Sequence, residues 1–522
     1  NIEIRYSNLN NVDLQCNNLV RYPSNTNLSS IKTDLISLIK KNPLIESVEI
    51  NEKNFINMNF SNQYFFEYSQ SIAERIKHTQ KNSIIFDYGG PNIGKDLHVG
   101  HIRTLNIGRS LYNIYKLAGN NVVSDIHFGD WGMPVAQIIA YIEHNNLDLE
   151  MLDYEDLETI YPKANQLSSE DKDFYNTAKS IAMELNSKNE NYTKKWQTVY
   201  NLAIPNIKTL LNKLGHDFDW YFGESDVVNE TDLVVSKAID EKKVKKDDGA
   251  LISTQEVDPP ILITKSDGSY LYLTTDLGTV LFRENKGSFD KYIYVVDSRQ
   301  ENHFKQLFKT VKYFGLSNSD FFHVGFGTIN GSDNKPFKTR DGGVYKLNLL
   351  FEDIKEKLKK YNSDDQVLNI LTNTVLTYSD LLPNRNQNYI FDVDKFTDIN
   401  GKTGIYIQYA QVRARKLLDN STMLGSYHKN FKINGEERNL LLLITKFDYF
   451  FNLSLSNLEP HHLAEYLFSL SQAFNSFYTN NKIFSDEVDT VTQVNRIKIV
   501  EEFFTTISLA FNCLGIESAE SM

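Results

Sequence analysis

The run Ser83-Ile84-Ile85-Phe86-Asp87-Tyr88, rich in β-branched and aromatic residues, leads through Gly89-Gly90-Pro91-Asn92-Ile93-Gly94-Lys95 to His98-Val99-Gly100-His101. Behind it Ile107, Leu111, Ile114 and Leu117 recur at helical spacing until Gly119-Asn120-Asn121 ends the period, and Val122-Val123 begins a new extended run. A strand, a glycine-containing loop, a helix and a strand in this order predict a parallel α/β nucleotide-binding domain. At the junction of loop and helix, Gly100 allows close backbone approach, the helix N-terminus favours anions, and the His98 and His101 imidazoles can donate to phosphate oxygens. Lys95 adds a cation just upstream. By itself an HxGH string carries little, because histidines at helix starts are often caps.

Moving outward, strand-like segments return at Ile261 to Thr264, Tyr292 to Val296 and Phe321 to Phe326. The last leads through Asn330-Gly331-Ser332-Asp333-Asn334 into Lys335-Pro336-Phe337-Lys338-Thr339-Arg340, where two lysines three apart can close over phosphates. Residues from about 140 to 247 are rich in Glu, Lys, Asn and Tyr with helical periodicity, and read as an insertion between the halves of the α/β domain. After about residue 400 the pattern changes to long amphipathic helices: Leu463, Leu467, Leu470, Phe474 and Phe477 make one stripe, and Ile497, Val500, Phe504, Ile507, Phe511 and Leu514 another. At the N-terminus a helical stretch from Ile31 to Lys41 precedes the alternating segment Ile45 to Ile50. The expected organisation is a small α/β unit at 1–72, a catalytic body at 73–398 with its insertion at about 140–247, and a helical bundle at 399–522.

Composition bounds the function. A chain of 522 residues with 41% hydrophobic and 23% charged residues is an ordinary multidomain globular protein. Its longest notable apolar run, Leu440 to Ile444, is far short of the roughly 20 residues of a membrane span, and the start Asn1-Ile2-Glu3-Ile4-Arg5 has no signal-peptide pattern. A cytoplasmic protein with no membrane partner is expected. Cys16 and Cys513, the only cysteines, leave no disulfide framework and no cysteine-rich zinc site. The net charge of -12 argues mildly against nucleic acid, although a total can conceal a local basic track.

Together these motifs resemble the class I aminoacyl-tRNA synthetases, and within them the arginyl branch. HVGH is similar to the HIGH signature and KPFKT to that branch's form of the KMSKS loop. The resemblance extends over Asp87 to Lys95, Gly129-Asp130-Trp131-Gly132, Tyr272-Leu273-Thr274-Thr275-Asp276-Leu277, Val295-Val296-Asp297-Ser298-Arg299-Gln300 and Gln408-Tyr409-Ala410, and covers essentially the whole chain. It implies a Rossmann-type parallel sheet with a small N-terminal α/β domain and an all-α C-terminal bundle. It further implies an arginine–tRNA ligase that uses ATP, accompanied by Mg2+ and with no tightly bound cofactor or zinc, whose partners are L-arginine and tRNA(Arg). A monomer is expected.

For the phosphates the resemblance implies Lys95, His98, Gly100, His101, Lys335 and Lys338, with His323, Gly325 and Phe326 beside the adenosine. For arginine, whose guanidinium is a rigid fork of donors matched by carboxylates, it implies Glu224, Tyr272 and Asp276, with Asn92 and Gln300 at the backbone end of the amino acid. For tRNA it implies Asn17 in the segment Asp13-Leu14-Gln15-Cys16-Asn17, and Tyr409, Tyr478 and Met522. Two places depart from the family pattern: Ile126 stands where many members carry asparagine near the α-amino group, and Met133-Pro134-Val135-Ala136 replaces Thr-Gln-Phe-Gly. Rival readings are a stand-alone nucleotidyltransferase, a synthetase paralogue with altered substrate, and a catalytically silent tRNA-binding protein.

Overall fold

The protein is described here from a computed structural model, covering residues 3–9, 11–23, 26–78, 81–95, 97–257, 259–331, 345–421, 427–428 and 431–522. Two compact units emerge: residues 78–405 with 454–464 and 512–522, and residues 1–77 with 406–453 and 465–511.

The larger unit is built on five parallel strands. We label these β1 (Ser83–Tyr88), β2 (Asn121–Phe128), β3 (Trp220–Gly223), β4 (Lys291–Val295) and β5 (Asp320–Val324), and the principal helices α1 (His101–Leu117), α2 (Met133–His144), α3 (Tyr272–Lys286) and α4 (Glu301–Phe314). The spatial order is β5-β4-β1-β2-β3. Helices cover the sheet, so β1 buries Ile84, Ile85 and Phe86 completely, which is why its sequence is a continuous apolar run and not an alternating one. Each such side chain contributes about 1.5–3 kcal/mol by leaving water. One face packs Ile85, Tyr292 and Tyr294 against Leu273, Leu277 and Val280 of α3 and Phe304, Leu307 and Val311 of α4.

Strand order reverses between β1 and β4, and in open α/β sheets the crevice at the carboxyl ends of such strands is where ligands bind. The first turn of α1 bridges that point: the Thr104 hydroxyl donates to the Val295 carbonyl at 2.7 Å and accepts from the Gly89 N–H at 2.9 Å. Between α2 and β3 lie three helices, Tyr154–Glu170, Lys172–Asn186 and Glu190–Lys213. The stretch 140–247, read from sequence as an insertion, therefore also contains β3, which belongs to the main sheet. Only four residues long, β3 gives too short a pattern to stand out from its polar surroundings.

In the smaller unit a four-stranded antiparallel sheet, in the order Ile4–Tyr6, Leu14–Cys16, Ile56–Phe60, Ile45–Ile50, carries a core of Cys16, Leu19, Ile56 and Met58. Segments written above as separate, 1–72 and much of 399–522, share this unit. Buried Asp13 accepts both guanidinium nitrogens of Arg438, with 3.0 Å from Nη1 to Oδ1 and 2.5 Å from Nη2 to Oδ2, and also the Phe60 N–H at 2.8 Å. The first helical stripe is buried as its spacing predicts, whereas in the second Phe503, not Phe504, takes the core position and stacks on Phe474 at 4.0 Å.

Candidate active site

The HVGH residues sit where α1 begins. The His98 N–H donates to His101 Nδ1 at 3.0 Å, the Gly100 N–H donates to His98 Nδ1 at 3.1 Å, and the two rings lie 4.0 Å apart. A ring nitrogen that accepts an N–H carries no proton, so in their neutral forms both imidazoles hold the proton on Nε2. Burial, reinforced by Lys95, lowers the His98 pKa to about 4; burial, with His98 and Lys95, lowers His101 to about 3. Near pH 7 the pair therefore offers two neutral Nε2–H donors, with exposed Lys95 supplying the charge. The same loop is tied to the start of the helix Leu347–Leu358: the Val99 N–H donates to the Tyr345 carbonyl at 3.1 Å, the Leu347 N–H to the Leu97 carbonyl at 2.8 Å, and His98 bridges Lys346. Lys335 and Lys338 themselves lie outside the described residues.

A cluster of acidic side chains forms beside the carboxyl end of β3. Gly223 ends that strand, and Glu224 follows on a short turn that is clamped from behind. Asp130, fully buried, accepts the Ser225 N–H at 2.9 Å and the Ser225 hydroxyl at 2.6 Å, while Asp226 caps the Gly223 N–H at 2.9 Å. Glycine is required at 223 because a Cβ there would lie 2.4 Å from Asp130 Oδ1. Burial first, then the like charges of Asp276 and Asp130, push Glu224 up to about 8. Asp276 stands on α3, one turn beyond Tyr272, and bonds His303 Nε2 of α4 at 2.5 Å. Tyr272 is 69% exposed and close enough to Glu224 and Tyr161 to interact with them electrostatically. Glu224 thus lies close enough to both Asp276 and Tyr272 to interact with them electrostatically.

Asn92 continues the sheet beyond β1: it bridges Gly129, whose carbonyl accepts the Ile93 N–H at 3.1 Å, and a Cβ on Gly129 would fall 1.9 Å from Asn92 Oδ1. Gln300 closes the exposed turn after β4. His323 bonds the Val296 carbonyl at 3.1 Å and stacks on Phe304, Gly325 is packed against Ser298, and Phe326 is buried. Ile126 is fully buried, and Val135 and Ala136 are buried in the first turn of α2. Asp130, quoted from the sequence without a role, acts as the clamp, and two residues that the sequence reading passed over complete the region: His303 on Asp276, and Tyr161 beside Asn92. His303 lies three residues beyond Gln300, but only the packing of α4 on α3 reveals its partner.

In the smaller unit Tyr409 and Tyr478 are joined by Arg413, whose guanidinium lies 4.0 Å from the first ring and 4.9 Å from the second and donates to the Tyr409 hydroxyl at 2.7 Å. Asn17 is half-buried beside the strand Leu14–Cys16. Met522, half-buried, belongs to the larger unit. Among the described residues one group, Glu459, His461 and His462, could gather around a metal ion. His462 already bonds Glu459 at 3.1 Å and Asn384 donates to Glu459 at 3.2 Å. Its nitrogen donors do not suit magnesium, which prefers oxygen.

Residues 68–393 match the family "tRNA synthetases class I (R), catalytic domain", and residues 407–522 match the DALR anticodon binding domain. Sheet, histidine loop and helical domain therefore place the chain in the class I aminoacyl-tRNA synthetases. It is 33% identical to an arginine–tRNA ligase of Alkaliphilus oremlandii, over 94% of this chain and 90% of that one, and 31% identical to an arginine–tRNA ligase of Francisella tularensis with the same coverage. The crystal structure of arginyl-tRNA synthetase from Plasmodium falciparum superimposes with a TM-score of 0.81 at 25% identity, covering 100% of this chain and 95% of that one. The Thermus thermophilus arginyl-tRNA synthetase shares the fold, with a TM-score of 0.79 at 15% identity and coverage of 100% and 96%. The chain belongs to the arginyl-tRNA synthetase family.

Proposed function

We propose that this protein joins L-arginine to tRNA(Arg) at the expense of ATP, and that the observation carrying the choice of amino acid is the pairing of Glu224 and Asp276 beside Tyr272. Two carboxylates near one another, one of them pushed up to about 8, are costly without a cation between them. A guanidinium removes that cost and offers each acid a directed donor.

The reaction has two steps. An oxygen of the arginine carboxylate attacks the α-phosphorus of ATP, the bond to the β-phosphate oxygen breaks, and pyrophosphate leaves. The 3′-terminal adenosine hydroxyl of tRNA then attacks the carbonyl of arginyl-adenylate and AMP leaves. The Nε2–H groups of His98 and His101, with Lys95, Lys335 and Lys338, stabilise charge spreading over the phosphates, and Gly100 keeps the backbone close. His323, Gly325 and Phe326 flank the adenosine. Mg2+ brought with the nucleotide would add to the neutralisation of phosphate charge supplied by Lys95 and the two histidines. Asn92 and Gln300 hold the amino acid's backbone end, where buried Ile126 offers no polar group. Residues 1–72, through Asn17, contact the outer part of tRNA. The helical domain reads the anticodon, with Tyr409, Tyr478 and Met522 as stacking and contact groups. The protein works as a monomer in the cytoplasm.

Pyrophosphate exchange with and without total tRNA, offering arginine, lysine and citrulline in turn, tests this reading. Exchange driven by arginine alone is expected. Absence of arginine-dependent exchange with cognate tRNA present overturns it.

A further inference from the structure

A histidine is bonded to the acidic cluster. On α3, Asp276 faces Glu224 from the turn after β3, Asp87 from β1 and the Tyr294 hydroxyl from β4, each close enough to interact electrostatically with its carboxylate. The nearby Arg283 is committed elsewhere: buried, it donates to Asp87 at 2.5 Å and to Asp125 at 2.7 and 3.0 Å. That leaves His303 of α4, whose Nε2 lies 2.5 Å from Asp276 Oδ2, as the basic group bonded to the cluster. Its ring is held in turn: Phe304 meets it edge-on at 5.3 Å, and His323 stacks on Phe304 at 4.9 Å with 9° between the planes. Both His303 and Asp276 remain partly open to solvent, with side-chain exposures of 29% and 34%, so a substrate can reach the carboxylate from the other side.

We propose that His303 is a positioning residue for amino-acid selection, which aims the Asp276 carboxylate at the guanidinium and, when protonated, stands in the pocket as a cation that competes with the substrate. This rests on the arginine specificity proposed above. The geometry gives the ring two effects of opposite sign. As a donor it fixes Asp276 in one rotamer, leaving Oδ1 and the second lone pair of Oδ2 for the incoming fork. As an imidazolium it neutralises the charge that attracts arginine. The hydrogen bond to Asp276 raises the His303 pKa against the opposing effect of burial, so the competing form gains population as pH falls.

The test uses the full chain in arginine-dependent pyrophosphate exchange with tRNA present, comparing wild type, His303→Ala and His303→Gln from pH 6.5 to 8.5. Glutamine can donate a neutral N–H to Asp276; alanine cannot. Loss of a charge-assisted hydrogen bond predicts an arginine KM raised about tenfold or more in His303→Ala at every pH, with kcat within about threefold. His303→Gln is expected to match wild type within about threefold at pH 8.5 and to show a lower arginine KM than wild type, by about threefold, at pH 6.5. An unchanged KM in His303→Ala, or a KM ratio between glutamine variant and wild type that does not move with pH, overturns the inference. If the alanine variant fails to fold, the glutamine comparison decides alone. Wild-type protein without arginine-dependent exchange overturns the proposed function and this inference with it; active wild type with unaffected variants overturns the inference only.

Discussion

The Asp130 carboxylate accepts both the N–H and the hydroxyl of Ser225, at 2.9 and 2.6 Å, from a fully buried position behind the turn that carries Glu224. Removing it in Asp130→Ala strips two hydrogen bonds from that turn and leaves their donors inside the protein, which costs about 1–3 kcal/mol. Denaturant unfolding is expected to register that loss, and arginine KM to rise, because Glu224 loses its support. A variant with wild-type stability and wild-type arginine KM would show that the clamp is idle.

Arginine binding is expected to strengthen with rising pH. Glu224, pushed up to about 8 by burial and by Asp276 and Asp130, holds a proton near neutrality that must leave before it can pair with the guanidinium. Arginine KM therefore falls from pH 6.5 through about 8 and then levels. In the empty protein the linkage runs the other way: a carboxyl raised in the folded state favours folding on the acid side, and that advantage is lost as pH climbs from the usual carboxylate value through about 8. Glu224→Gln should raise KM and flatten its fall with pH, as measured in exchange assays. A wild-type KM independent of pH would remove Glu224 from the pocket.

The histidine pair should behave as neutral donors. With His98 lowered to about 4 and His101 to about 3 by burial, kcat should show no ionisation from either ring between pH 5.5 and 8. Loss of one donor aimed at developing charge costs about 100- to 1000-fold in rate, so His98→Ala should fall in that range and His98→Asn, which keeps an N–H, should recover part of it. Equal activity of alanine and asparagine variants would show that the donor is not what matters.

Arg438→Ala should destabilise the smaller unit by about 3–5 kcal/mol, since it leaves Asp13, 2% exposed, as an uncompensated charge. Arg438→Met combined with Asp13→Leu should recover most of that stability. Thermal unfolding of the full chain reads both; an Arg438→Ala variant that melts with wild type would sink the assignment.

Much of this was legible beforehand because it is written locally. The apolar run of β1, the period of α1 and the histidines between them are neighbours in the chain, and hydrophobic patterning reports them directly. Glu224 and Asp276 could be named through resemblance to relatives. What could not be read is the company they keep: Asp130 clamps Ser225 across 95 residues, His303 reaches Asp276 from another helix, and Arg438 finds Asp13 across 425 residues. Phe503 and Phe504 both lie within one helical turn of the buried Val500 and Ile507, so spacing alone does not decide which of them enters the core. β3 was hidden by its length, four residues in a polar stretch.

The proton arrangement of His98 and His101 has a consequence for how the enzyme meets salt. Mobile ions screen net charges and leave short hydrogen bonds from uncharged donors almost untouched. The part of the phosphate site that rests on two uncharged imidazoles should keep its grip on ATP as ionic strength rises, while the part that rests on Lys95, Lys335 and Lys338 weakens. The grip on tRNA depends on lysines and arginines displacing counterions from a polyanion, and should decline steeply over the same range. Added salt would then act more strongly on the delivery of amino acid to tRNA than on the histidine part of the enzyme's hold on its nucleotide.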